Sequence, residues 1–135
     1  MHSMKAKYLG GLRTEAIHLK SGKTIITDAP IDNNGKGEAF SPTDLMTASL
    51  ASCMMTIMGI TAQSKEIELG EIEVEITKIM GSEPRRVIGI DLNFNIPSLN
   101  YDDKTKQILK NAALTCPVAK SIHPDIEVKS TFNWI

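Results

Sequence analysis

The stretch from Leu45 to Ala62 holds no charged residue over eighteen positions, and it constrains the fold more than any other part of the chain. It is preceded by Ser41-Pro42-Thr43-Asp44, which offers a hydroxyl able to cap, a proline where the first helical residue needs no N–H partner, and an acid at the positive end. A helix from there to about Ser64 is expected. Its length touches the lower limit for a membrane span. Thr47, Ser49, Ser52, Thr56, Gly59 and Thr61 are scattered through it, however, and the flanking segments alternate like strands that keep one face in water, so no membrane partner is expected. Because this helix is apolar or small on every side, protein has to enclose it all round. A chain of 135 residues with only two or three helices offers too little cover, which predicts a homodimer with the long helix at its centre.

Around that helix the hydrophobic period is mostly two. Lys5 to Leu9, Arg13 to Leu19 and Lys23 to Thr27 read as a three-stranded meander, with Gly10-Gly11 and Ser21-Gly22 as its turns. Asp28 to Ser41 is rich in Pro, Asn, Gly and Asp and reads as a surface loop. Beyond Gly70, Ile72, Val74 and Ile76 alternate with glutamates, and after a turn at Gly81 to Pro84 the residues Ile88 to Ile96 alternate again, giving a hairpin. Tyr101-Asp102-Asp103 opens a second helix that ends near Thr115, Val118 to Ile122 forms a short third, and Ile126 to Trp134 is a last strand. The order β-β-β-α-β-β-α-α-β predicts an antiparallel α+β fold without a βαβ crossover, in one domain spanning residues 1–135.

Several functions lose their markers. Fifteen Lys+Arg against sixteen Asp+Glu leave a net charge of −1, with no basic excess to neutralise phosphates, so no nucleic-acid partner is expected. The three histidines, His2, His18 and His123, are scattered with no ligand spacing, so no metal is expected, and GxGxxG, GxxxxGK[ST], GxSxG and HExxH are all missing. No apolar run follows the charges at the N-terminus, and the chain reads as cytoplasmic.

The two cysteines remain. Cys53, within Ala51-Ser52-Cys53-Met54-Met55, reads either as a small core hydrophobe or, with a cation nearby, as a reactive thiolate. Cys116 precedes Pro117 where one helix ends and the next begins, so its sulfur either faces the positive end of a helix dipole or simply caps it. Of three arginines, Arg85 and Arg86 sit at a turn and read as solvated charges, whereas Arg13 stands just past Gly10-Gly11 at a strand start, where a planar fork can be held in place.

Phe40-Ser41-Pro42-Thr43-Asp44-Leu45, the small-residue run from Ala48 to Ser52 ending in Cys53, Gly10-Gly11-Leu12-Arg13, and Cys116-Pro117 together resemble the OsmC/Ohr family. The resemblance covers nearly the whole chain. It implies an OsmC-like α+β fold in which two intertwined chains bury their long helices against six-stranded sheets, with sites at the dimer interface. It also implies a thiol-dependent peroxidase acting on organic hydroperoxides, in which Cys53 is the peroxidatic thiolate, Cys116 the resolving thiol and Arg13 the cation that keeps Cys53 ionised. No cofactor is implied beyond an external dithiol or lipoyl-type reductant. In peroxidase members a glutamate follows the helix-opening proline and pairs with the arginine; here that position is Thr43, which leaves Asp44 or Glu38 as the acid for Arg13. Met46, Met54 and Phe40 are the candidate lining of a substrate pocket, although methionines at helical spacing also serve as core. The alternative is a non-catalytic or sulfur-transferring stress-response dimer of the same fold, with a small-molecule pocket at its interface.

Overall fold

The computed structural model describes all 135 residues, which divide into two compact units, Met1–Met46 and Thr47–Ile135. In the first unit, β1 (Met4–Gly10), β2 (Arg13–His18) and β3 (Thr24–Asp28) form an antiparallel meander in that order. The β1–β2 turn runs through three successive left-handed residues, Gly10 at φ 86°, Gly11 at φ 60° and Leu12 at φ 60°. Two glycines make this tight reversal accessible at no steric cost. It delivers Arg13 directly opposite Asp28, the last residue of β3. The segment after β3 contains a single 3-10 turn, Ile31–Asn33, and folds back on itself: the Gly37 N–H donates to the Ala29 carbonyl and the Asp28 N–H to the Phe40 carbonyl. Gly35 is obligatory there, because a Cβ would lie 1.7 Å from the Ala29 carbonyl oxygen.

Helix α1 (Pro42–Ser64) starts in the first unit and continues into the second. Its N-terminus is a reciprocal capping box: the Asp44 N–H donates to Ser41 Oγ and the Ser41 N–H donates to Asp44 Oδ2, each at 3.0 Å. These bonds satisfy two donors that a helix start otherwise leaves bare.

The second unit holds β4 (Glu73–Gly81), β5 (Arg86–Ile96), α2 (Asp103–Leu114), α3 (Pro117–Ser121) and β6 (Glu127–Trp134). β4 and β5 form the expected hairpin. β6 does not: it lies parallel to β5, pairing Gly89 with Glu127 through Ile96 with Trp134, so the wholly antiparallel sheet expected from the sequence is corrected at this edge. The cause is the connection. α2 and α3 carry the chain back to the start of β5 before β6 begins, and a crossover of this length permits a parallel neighbour where a hairpin turn does not. The core is built from Leu50, Ala51, Met54, Met58 and Ala62 of α1, Ile90, Leu92, Phe94 and Ile96 of β5, Leu109 and Ala113 of α2, and Cys116. Phe94 stacks on Phe132 at 4.7 Å between ring centroids.

Two features of burial differ from an ordinary closed core. In Met1–Met46 the only buried side chains are Thr27, Asp28 and Ser41, none of them apolar. On α1, which the sequence leads one to expect enclosed all round, Ser49, Ser52, Thr56, Ile60 and Gln63 form an exposed stripe.

Candidate functional site

Both cysteines are reduced. Cys53 sits at the middle of α1, half-buried beside the sealed stripe of Leu50, Ala51 and Met54. Cys116 is the N-cap of α3, with an extended backbone at φ −69° and ψ 154°, because Pro117 excludes a helical conformation from the residue before it. Its Sγ accepts the Ala119 N–H at 3.4 Å, and the sulfur is wholly buried. The fold brings the two thiols near enough for the Cys53 sulfur to act on the Cys116 thiol, although 63 residues separate them in the chain.

Burial decides the state of Cys116. Removal from water pushes its thiol up, and the neighbouring Cys53 sulfur pushes the same way, while the N–H donors of Ala119 and Val118 pull it down by less. Of the two readings the sequence leaves open for Cys116, the cap is the one seen, and desolvation outweighs the pull of that one-turn cap on the thiol. The two thiols therefore differ in access, Cys53 half-buried and Cys116 enclosed, and the enclosed one favours its protonated form.

The second constellation lies in the first unit. Arg13 makes a two-pronged contact with Asp28, Nε donating to Oδ1 at 2.7 Å and Nη2 to Oδ2 at 2.8 Å, and Nη2 also donates to Glu38 Oε1 at 3.1 Å. The Asp28 side chain has no exposure, whereas that of Glu38 is 66% exposed. Arg13 holds the Asp28 carboxyl below the usual carboxylate range, and Asp28 in turn raises the guanidinium. Glu38 thus stands beside Arg13, and Asp44 is engaged in the capping box. Asp28 was missed in the sequence because it reads as the first residue of a loop. The Ser21-Gly22 turn expected from the sequence does not recover it: a register counted out from those two residues sets 13 against 30, whereas the observed turn, closed by His18 and Lys23, sets 13 against 28.

Of the candidate pocket residues, Met54 is sealed in the core, Met46 is half-buried and Phe40 is exposed. No three His, Cys, Asp or Glu side chains converge as metal ligands.

An α+β chain with a long central helix, a thiol in that helix and a second thiol at a proline-opened helix start defines a class of two-cysteine proteins. The profile of the OsmC-like protein family matches residues 35–131, and the chain belongs to that family. A solved structure from Psychrobacter arcticus 273-4, described as a suspected osmotic stress induced and detoxification response protein, is 55% identical, with 98% of this chain and 96% of that one covered at a TM-score of 0.93. More distant folds agree. An organic hydroperoxide resistance protein OsmC from Legionella pneumophila is 20% identical over 98% of both chains at a TM-score of 0.76. An OsmC-like protein from Mycoplasma pneumoniae is 17% identical over 100% and 97% at 0.82. A search of curated proteins finds no match.

Proposed function

We propose that this protein is a cysteine-based reductase of organic hydroperoxides that works as a cytoplasmic homodimer. The observation that carries this reading is the unequal thiol pair: a half-buried Cys53 near an enclosed Cys116 whose own thiol is pushed up by burial. Cys53 as thiolate attacks one peroxide oxygen; the O–O bond breaks, the other oxygen takes a proton and leaves as an alcohol, and Cys53 becomes a sulfenic acid. The Cys116 thiol then attacks that sulfur, water departs, and a disulfide closes. An external dithiol, of lipoyl or similar type, restores both thiols by exchange and leaves as its own disulfide. Arg13 is the cation assigned to the thiolate, since an ionised sulfur away from bulk water needs positive charge beside it. Membership of the OsmC-like family and the Legionella protein named for organic hydroperoxide resistance support the same reading.

Dimerisation is part of the proposal. Ile60 on α1 and the exposed apolar side chains of Met1–Met46, Tyr8, Leu9 and Ile25 among them, are what a second copy would cover.

The test is a thiol count. Reduced protein mixed with one equivalent of cumene hydroperoxide is expected to lose two thiols per chain and to release one cumyl alcohol, and Cys53→Ser is expected to lose none. If both thiols survive the peroxide, the reductase reading fails. The non-catalytic dimer, favoured by Thr43 standing where peroxidases carry a glutamate, would then take its place.

A further inference from the structure

We propose that Asp28 is the positioning residue for Arg13, fixing the guanidinium so that its remaining edge is presented to an anion. The inference rests on the proposed role of Arg13 and adds the residue that makes it possible. Three observations support it.

Asp28 occupies both prongs of one edge of the fork, Nε and Nη2, which is the geometry that fixes the plane of a guanidinium and not merely its charge. Asp28 is itself immobilised. It stands across the ladder from Arg13, its N–H is tied to the Phe40 carbonyl at 3.1 Å, and its Oδ2 also accepts the Glu38 N–H at 3.1 Å. A wholly buried carboxylate with both oxygens engaged has no alternative arrangement to visit. The other acid does not match this. Glu38 reaches Arg13 through one bond at 3.1 Å from an exposed side chain, a contact that water and salt compete with. Thr43, at the position following Pro42, brings no charge. The contacts to Asp28 and Glu38 use Nε and Nη2 and leave the Nη1 edge as the donor edge.

The experiment compares Asp28→Asn, Asp28→Glu, Glu38→Gln and Arg13→Ala. Each is assayed for kcat/KM with cumene hydroperoxide, for the pH profile of Cys53 alkylation by iodoacetamide, and for Tm. Asp28→Asn is expected to lower kcat/KM about tenfold and to move the alkylation profile to higher pH, with Glu38→Gln falling by less. Asp28→Glu keeps the charge but pushes the fork away by one methylene, and is expected to lose about threefold at unchanged Tm. An Asp28→Asn protein that is less stable but retains wild-type kcat/KM and the wild-type alkylation profile would overturn the proposal by making Asp28 purely structural. If Asp28→Asn does not fold, Asp28→Glu decides alone: wild-type kcat/KM overturns the proposal and the threefold loss supports it. Arg13→Ala separates the two levels. Wild-type behaviour there removes the arginine from the mechanism and the proposal with it, whereas a dead Arg13→Ala beside a fully active Asp28→Asn removes only the role of Asp28.

Discussion

At the scale of single residues, chemistry in this chain is set by what surrounds each side chain more than by its type. Cys53 and Cys116 differ in access and in neighbours, and iodoacetamide at pH 8 is expected to label Cys53 first and Cys116 only after unfolding, as peptide mapping will show. Cys116 also imposes a pH dependence. Its folded value is raised, so the folded chain keeps a proton that the unfolded chain has already lost, and stability should fall as pH climbs above the unfolded value of about 8.5. Cys116→Ala is expected to flatten that alkaline slope in urea titrations. Asp28 acts in the opposite direction: its folded value is depressed, so its contribution is present above roughly pH 3.9 and disappears as pH falls through the lower folded value. Arg13, Cys53 and Cys116 stand out in the bare sequence because arginine and cysteine are scarce and sit beside turns and helix signals. Asp28 does not, because an aspartate before Ala29-Pro30 looks like any loop acid, and its partner is visible only once strand register is known.

At the scale of elements, the boundaries follow from local rules, and the one error is topological. α1 begins where Ser41 and Asp44 cap it, and Ser41→Ala is expected to cost about 0.5–2 kcal/mol in denaturant unfolding through loss of the box. In the sheet, Phe94 is fully buried and stacked on Phe132, so Phe94→Ala is expected to cost about 3–5 kcal/mol in the same measurement. Alternation identifies β4, β5 and β6 as strands because each buries one face, but period says nothing about direction. Whether β6 runs with or against β5 depends on where α2 and α3 return the chain, and no residue pattern within β6 carries that information.

At the scale of the whole molecule, the uncharged run in α1 is the sequence feature on which the proposed homodimer rests. Sedimentation is expected to give twice the 14.8 kDa chain mass, and Ile60→Asp, which puts a charge on the exposed stripe, is expected to shift the protein toward monomer. A monomeric wild type at micromolar concentration would contradict the dimer. The amino-terminal meander has its own consequence. A sheet whose only sealed side chains are Thr27 and Asp28 has no oil of its own to hold it together. If the proposed homodimer supplies that cover, persistence of the sheet should track how crowded the solution is with its twin, so that dilution, more than heating, melts those three strands and strips Arg13 of its partners.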